Sequence, residues 1–178
     1  MARKPPELEA PELLDYALRA LAARAYSVAE LRDRLKRRAA NPEDVETVLD
    51  RLRQYGYIND RKLAEAFASA RLANQGIGKA RVIRDLRKRR VAREIAERAA
   101  EDAYRDADEI ELIEAFLRRK YRSQPLELLL ADNRNLASVY RRLRSAGFTA
   151  SNSITVLKRF TREAEALEGI EENPEETA

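Results

Sequence analysis

Apolar residues recur at steps of three and four along most of the chain, the spacing that places them on one face of an α-helix. The first run starts at Pro11 and brings Leu14, Ala17, Leu18 and Leu21 onto a common face. Two more runs of the same kind follow before residue 58. The pattern therefore predicts three short helices in the first third of the chain.

Residues at the expected helix ends support this prediction. Ser27 and Glu30 have the spacing of a capping box, in which each side chain bonds the backbone N–H of the other residue. Asn41 followed by Pro42 predicts the start of the third helix, because proline is tolerated at the first helical position. Gly56 predicts its end, since glycine readily adopts the left-handed conformation that follows many helices.

The same plan is then repeated twice. In each middle helix an apolar pair is preceded, four residues earlier, by a predicted N-cap: Leu31/Leu35 by Ser27, Val82/Leu86 by Gly78, and Val139/Leu143 by Asn135. Modules this short bury little core alone and are stabilised by their neighbours. The alignment predicts an all-α protein of three tandem three-helix repeats.

The predicted organisation has five parts. An N-terminal extension (1–10) precedes repeat 1 (11–58), repeat 2 (59–105) and repeat 3 (106–167), and an acidic tail (168–178) is expected to be disordered. Repeat 3 is longer because turn-forming residues between Tyr121 and Leu136 indicate an extended connection.

Composition agrees with a helical protein and excludes several function classes. The 178 residues are 44% hydrophobic and 37% charged, with few glycines and prolines. Cysteine and histidine are absent, which excludes disulfides, thiolate zinc sites and the commonest general base at neutral pH. No apolar run reaches the roughly 20 residues of a membrane span, and the first residues do not resemble a secretory signal. We expect a cytoplasmic protein that is not an enzyme, with no catalytic or metal site and no cofactor.

The formal charge of +4 is unevenly distributed. Residues 1–58 carry +1, residues 59–105 carry +6, residues 106–162 carry +4, and residues 163–178 carry −7. The excess of positive charge is therefore greatest in repeat 2, where a surface for an anionic partner is expected.

The main basic strip lies on the middle helix of repeat 2. Arg81, Arg84 and Lys88 follow one another at helical spacing and share a face, and Lys79 adds a charge at the helix start. Such a strip could follow a phosphate backbone or an acidic groove of a protein. The alternative is a solvated face partly neutralised by Asp85.

Two further basic clusters lie at equivalent places in the other repeats: Lys36, Arg37 and Arg38, and Arg141, Arg142 and Arg144. If the repeats stack, the clusters could line one extended basic surface. The alternative is that each cluster stabilises a helix C-terminus, where positive charge interacts favourably with the helix dipole.

Two other features have a structural interpretation. Gly76 and Gly78 lack the third glycine and the following Ser/Thr of phosphate-binding loops, so they are expected to end one helix and start the next. Four tyrosines, Tyr16, Tyr26, Tyr55 and Tyr57, could stack on bases, but tyrosines beside helix turns usually pack into small cores.

Specific motifs resemble a known family. They are YSVAELRDRL (26–35), VLDRL (48–52), YGYIND (55–60), LA (63–64) and GKARV (78–82), with Phe67, Arg71 and Leu86. These segments resemble the RecX family, the bacterial regulators of the RecA recombinase. The similarity covers roughly residues 12–160. Lys79 departs from it, because the family often has proline there.

The resemblance implies a fold and a function. The fold would be three tandem three-helix repeats in an elongated, curved array. The function would be to bind, as a monomer, the groove of a RecA filament on single-stranded DNA and suppress ATP hydrolysis and strand exchange in homologous recombination, DNA repair and the SOS response. The candidate contacts to RecA or to DNA phosphates are Lys36, Arg37, Arg38, Arg71, Lys79, Arg81, Arg84, Arg87, Lys88, Arg141, Arg142 and Arg144.

An alternative function remains open at this point. Each repeat contains a helix–turn–helix, so the chain could instead be a direct nucleic-acid-binding regulator. The candidate recognition helix at residues 45–52 contains Glu46 and Asp50, which argues against insertion into a major groove.

Overall fold

The computed structural model describes residues 7–170, apart from the side chains of residues 166 and 168–170. This part of the chain is helical: α1 (Ala10–Ala23), α2 (Val28–Lys36), α3 (Pro42–Gln54), α4 (Asp60–Gln75), α5 (Lys79–Lys88), α6 (Arg93–Tyr104), α7 (Glu109–Lys120), α8 (Leu126–Leu130), α9 (Asn133–Ser145), α10 (Ala150–Lys158) and a 3₁₀ helix (Arg162–Ile170). The predicted all-α class is confirmed. Within residues 7–170, extended pairing is limited to one bridge between Leu8 and Ala39.

The chain forms two compact units. Within the described residues, the first unit holds residues 7–67 together with Asp85–Ala99, and the second holds Ala68–Arg84 together with residues 100–170. Each unit therefore contains one outer repeat and segments of the middle repeat.

In the first unit, α1 and α2 pack on α3. Their buried side chains form one core, made of Leu13, Ala17, Leu31, Leu35, Val45, Val48, Leu49, Leu52 and Ile58. Leu8 attaches the predicted N-terminal extension to this unit, because its N–H donates to the Arg38 carbonyl at 2.7 Å and its carbonyl accepts from the Ala40 N–H at 2.9 Å.

The buried face of α1 differs from the predicted one. Leu13 and Ala17 are fully buried, whereas Leu18 and Leu21 are only half-buried. Leu18 and Leu21 pack at the edge of this core and also line an apolar cleft of about 470 Å³, which leaves part of their surface exposed. The helical period was right, and Ala17 is buried as predicted, but the buried stripe of Leu13, Ala17 and Ala20 is displaced by one position from the predicted one.

In the second unit, α10 packs against α7, α9 and the 3₁₀ helix, and α8 packs on α9. Phe148 is fully buried, and its ring meets that of Phe116 edge-on at 5.6 Å between centroids. Helix α8 occupies the connection that the sequence indicated as a long loop. The 3₁₀ helix includes residues 168–170 of the predicted tail, and the other tail residues, 171–178, lie outside the described residues.

The predicted helix starts have mixed outcomes. Asn41 and Pro42 stand at the predicted N-cap and N1 positions, but the Asn41 side chain makes no capping bond. Asn135 is wrong as a cap, because α9 begins two residues earlier and Asp132 Oδ1 accepts from the Arg134 N–H at 2.7 Å. Gly56 is left-handed as predicted, with φ of +73°.

The capping box of α2 is confirmed and extends into a larger network. Ser27 Oγ accepts from the Glu30 N–H at 3.1 Å, and Glu30 Oε2 accepts from the Ser27 N–H at 2.8 Å. The fully buried Ser27 hydroxyl also donates to the Arg89 carbonyl at 2.6 Å, just beyond the end of α5. Arg89 Nη2 bonds Glu30 Oε2 at 2.9 Å and the Ala25 carbonyl at 2.8 Å. This network fixes the end of α5 against the start of α2.

The network shifts the pKa of Glu30. Partial burial alone would raise its pKa, but the hydrogen bonds from Arg89 and from the Ser27 backbone, with the charges of Arg89 and Arg24, outweigh burial and lower the pKa below its usual value. The ionised carboxylate is thus the form that the fold favours.

We predict that Ser27→Ala lowers the free energy of unfolding by about 2 kcal/mol, because it removes a helix cap and leaves the Arg89 carbonyl without the donor of this part-buried hydrogen bond. Urea denaturation measures the effect. Thr47→Ala is the control, since the Thr47 hydroxyl makes only an exposed bond within α3. An equal loss for both variants would contradict this role of Ser27.

Glu30 should also affect stability at acid pH. A carboxyl whose pKa is lowered on folding stabilises the protein above its unfolded pKa near 4.5, and this contribution is lost as the pH falls below that value. Glu30→Gln should therefore lose less free energy of unfolding than the wild type between about pH 7 and about pH 3. The exposed Glu65→Gln should behave as wild type, and identical pH profiles for all three proteins would contradict the effect.

Candidate polyanion and partner interface

The predicted strip on α5 begins in the second unit, where two of its arginines meet the end of α9. Arg81 Nη1 and Arg84 Nη2 both donate to the Ser145 carbonyl, at 3.3 and 2.8 Å. Carbonyls at a helix C-terminus lack intrahelical partners and carry the negative end of the dipole. The shared acceptor therefore brings two positive charges together at one place.

The basic cluster of repeat 3 lies on the same helix end. Arg144 Nη1 donates to the Phe148 carbonyl at 2.7 Å, and the Arg142 guanidinium lies 6.0 Å from the centre of the Tyr121 ring. Arg141 is exposed, with no hydrogen bond or ion pair to any residue that the structure describes. The name α9-end cluster denotes five arginines at this end of the helix: Arg81, Arg84, Arg141, Arg142 and Arg144.

Two other predicted residues of this unit have local partners. Lys79 Nζ lies 2.7 Å from Glu101 Oε2, and its hydrogen bond and charge lower the pKa of that carboxyl. Arg71 Nη1 donates to Gln75 Oε1 at 2.6 Å within α4. An exposed ion pair such as Lys79–Glu101 adds little stability, so Lys79 can exchange this contact for a ligand.

The start of α5 is occupied by protein backbone. The Gly78 N–H donates to the Ala146 carbonyl at 2.9 Å, and the Ala80 N–H donates to the Gly147 carbonyl at 3.3 Å. A Cβ on Gly78 would lie 2.1 Å from the Gly147 carbonyl carbon. Glycine is therefore required for a close approach between two backbones, in agreement with the rejection of a phosphate-binding loop.

In the first unit, one cleft of about 250 Å³ brings together Arg37, the residue that follows α2, and Lys88 of α5. This unit-1 basic cleft is lined by Arg24, Tyr26, Glu30, Asp33, Arg34, Arg37, Lys88 and Arg90. Three other predicted residues of this unit do not line the cleft. Lys36 is exposed, and the Arg38 guanidinium lies 5.0 Å from the centre of the Tyr16 ring. Arg87 Nη1 donates to the Val91 carbonyl at 3.0 Å.

Arg24, Arg34 and Arg90 were not predicted as site residues. The spacing of Arg34 and Arg37 on α2 could have indicated a shared face. Arg90 had no such signal, because its position depends on a left-handed backbone, with φ of +59°, at the end of α5.

The tyrosines differ in their environments. Tyr16 and Tyr26 are half-buried against arginines: Arg34 lies 5.1 Å from the Tyr16 ring centre, and Arg24 lies 3.8 Å from that of Tyr26. Tyr55 and Tyr57 are 70% and 59% exposed. The expectation that turn tyrosines pack into the core is therefore wrong for this second pair.

Two other kinds of feature are absent from the described residues. No group of three or more acidic side chains there is arranged to hold a metal ion. No helix there is long and apolar enough for a membrane span.

Comparison with known proteins adds independent information. The family model of the RecX first three-helix domain matches residues 14–52, and that of the second three-helix domain matches residues 59–99. The regulatory protein RecX of Syntrophotalea carbinolica is 33% identical over 136 residues, which cover 76% of this chain and 87% of that protein. The RecX of Deinococcus radiodurans is 46% identical over 85 residues, covering 48% of this chain and 40% of that protein.

A solved structure is similar in fold. The crystal structure of RecX from Lactobacillus salivarius matches with a TM-score of 0.68 and 18% identity, over 85% of this chain and 96% of that one. At this identity the likeness supports the all-α repeat fold alone.

The backbone contact at Gly78 generates a prediction. Gly78→Ala should lower the free energy of unfolding by roughly 2 kcal/mol or more, because its Cβ overlaps the backbone of Gly147. Gly76→Ala is the matched control: its φ of +51° is unfavourable for alanine, but its Cβ would meet no atom closer than 3.8 Å, so about 1 kcal/mol is expected. Thermal unfolding compares the two, and a larger loss at Gly76 would contradict the contact.

Proposed function

The chain belongs to the RecX family of regulatory proteins, and from this membership we propose that it regulates the RecA recombinase without catalysing a reaction. In this proposal it acts in the cytoplasm as a monomer. It binds in the groove of the RecA filament on single-stranded DNA and inhibits ATP hydrolysis and strand exchange.

The observation that carries the proposal is the α9-end cluster. Arg81 and Arg84 share the Ser145 carbonyl as acceptor, so their guanidinium groups are held in place before any ligand arrives. A side chain that is already ordered loses less entropy on binding. The Arg84 side chain is exposed, and a guanidinium has five N–H donors, of which Arg84 uses one for Ser145.

The surrounding charges favour an anionic partner. Arg142 and Arg144 lie in the last turn of α9, which ends at Ser145, the residue whose carbonyl Arg81 and Arg84 share, and Arg141 immediately precedes that turn. Arginine forks pair with carboxylates and with phosphates in two-point geometry. A filament of protein and DNA offers both groups.

The test is RecA ATP hydrolysis on single-stranded DNA. The wild-type protein should lower the rate, and Arg81→Gln combined with Arg84→Gln should remove most of this inhibition. Glutamine keeps an amide donor for the Ser145 carbonyl, so the variant removes charge while preserving the structural bond. Charge reversal of both residues to Glu should abolish inhibition entirely.

The matched control removes two charges elsewhere in the same unit. Arg118 and Arg122 are exposed and lie outside the predicted set, so Arg118→Gln with Arg122→Gln should inhibit like the wild type. Full inhibition by the folded Arg81/Arg84 glutamine variant would overturn the role of this cluster. The alternative is a direct nucleic-acid-binding regulator. It would be supported if the wild-type protein left RecA ATP hydrolysis unchanged but bound a preferred duplex site with an affinity that depends on salt.

A further inference from the structure

We propose that the first unit carries a docking site for a protein segment that presents an apolar side chain with a carboxylate beside it. The site is the apolar cleft of about 470 Å³ that Leu18 and Leu21 line, called the unit-1 apolar cleft below. The partner that docks there is a RecA protomer, so this inference rests on the proposed function. The cleft is separate from the α9-end cluster, which belongs to the other unit.

The wall of the unit-1 apolar cleft is almost free of charge. It is formed by the second half of α1, the turn after α3 and the first half of α4, all within the first unit. Leucine, isoleucine and alanine side chains make up most of the wall, among them Leu21, Ile58 and Leu63. Among the described residues, Lys62 is the only charged side chain that lines it. Apolar surface is therefore left in contact with solvent where an apolar side chain of a partner can cover it.

Two tyrosines extend this apolar surface at the rim of the cleft. Among the described residues, the large apolar side chains that stay exposed are Tyr55, Tyr57 and Leu128. Tyr57 lines the cleft, and the centre of its ring lies 6.5 Å from that of Tyr55. Exposed apolar groups collected in one place mark interaction sites on soluble proteins. Tyrosine is enriched at protein interfaces because it combines an apolar ring with a hydroxyl that can stay in water.

The turn that carries the two tyrosines is fixed by its backbone. The Gly56 N–H donates to the Arg53 carbonyl at 3.0 Å, and the Tyr57 N–H donates to the Leu52 carbonyl at 2.9 Å. With Gly56 left-handed, these two bonds form a Schellman motif at the end of α3. A residue in the place of Tyr57 often packs back on its own helix, whereas Tyr57 stays 59% exposed. The ring is thus held near solvent by an ordered turn, which reduces the entropy lost on docking.

Lys62 determines the charge that the partner must carry. Its side chain is exposed at the cleft and makes no ion pair with any residue that the structure describes. The neighbouring Asn59 Oδ1 is already occupied, because it accepts from the Arg61 and Lys62 N–H groups at 3.0 and 3.1 Å. An unpaired cation beside an apolar wall favours a segment with a carboxylate next to its apolar side chain and disfavours a basic segment.

The open form of the cleft favours a protein segment over a small molecule. Ala22, Ala25, Tyr57 and Ala66 line the cleft and are all exposed. Small-molecule sites instead enclose most of the surface of their ligand. A groove that remains open accepts side chains from one face of a helix or strand, as in other helix-in-groove interfaces.

The experiment measures the affinity of the labelled full chain for the RecA filament on single-stranded DNA, by fluorescence anisotropy. Tyr57→Ala and Lys62→Glu should each weaken binding about tenfold, because they remove an aromatic anchor and reverse the charge at the cleft. Two matched controls should bind like the wild type. Leu128→Ala removes another exposed apolar side chain, and Arg61→Glu reverses a neighbouring exposed charge that does not line the cleft. Equal weakening by the cleft variants and their controls would overturn the proposal.

Both cleft variants are expected to fold. Tyr57 is mostly exposed, and residue 62 lies in the first turn of α4, where a carboxylate interacts favourably with the helix dipole. Their melting temperatures should therefore lie within about 2 °C of the wild-type value.

A zero-length cross-link identifies what occupies the cleft. A carbodiimide joins a lysine amine to a carboxylate in contact with it, and takes up the water lost as the amide forms. In the complex of the wild type with the filament, it should join Lys62 to an aspartate or glutamate of RecA that has an apolar residue within one helical turn. Lys62→Arg should keep the affinity, because the charge remains, but lose the cross-link. A link from Lys62 to a second copy of this chain, or no link from Lys62 in the bound wild type, would overturn the proposal.

Two further outcomes are distinguishable. If Tyr57→Ala weakened binding of oligothymidylate without RecA by the same factor, the tyrosines would form a base-stacking surface, which would also overturn the proposal. Wild-type protein that does not bind the RecA filament would contradict the proposed function. A wild type that binds, with unchanged affinity in both cleft variants, would contradict the docking site alone.

Discussion

The hydrogen bond from the buried Ser27 hydroxyl to the Arg89 carbonyl is the contact on which the organisation of the first unit depends. Short helices of this kind bury too little surface to be stable singly, so their relative placement needs specific contacts. Ser27 makes one such contact while it caps α2, and the Glu30–Arg89 ion pair makes a second at the same place. Together they hold the end of α5 beside α2, and the unit-1 basic cleft exists because of this placement.

Local features of the fold could be predicted from the sequence, and features that depend on distant residues could not. The Ser27–Glu30 capping box was predicted because both partners lie within one helical turn. Asn135 was wrong as a cap because Asp132 has the same chemistry three residues earlier, and the pattern alone could not choose between them. The buried stripe of α1 was misplaced by one position because Leu18, at the edge of the core, also lines a cleft whose other wall comes from residues 56–66.

The same distinction applies to the candidate site. Helical spacing predicted that Arg81 and Arg84 share a face, and the structure brings both to the Ser145 carbonyl. Helical spacing could not predict the acceptor, because Ser145 is 61 positions away from Arg84 in the sequence. Likewise, the sequence justified rejecting a phosphate loop at Gly78, but the reason for glycine there is the backbone of Gly147, which only the tertiary structure provides. Basic residues are easy to find in a sequence; their grouping into surfaces requires the fold.

The central claim is that the α9-end cluster contacts a RecA filament, and hydrogen–deuterium exchange of the protein with and without RecA on single-stranded DNA tests it most directly. The account predicts slower exchange, on addition of the filament, in the peptides covering residues 79–84 and 141–149. Protein bound to the filament with unchanged exchange in both segments would contradict the account.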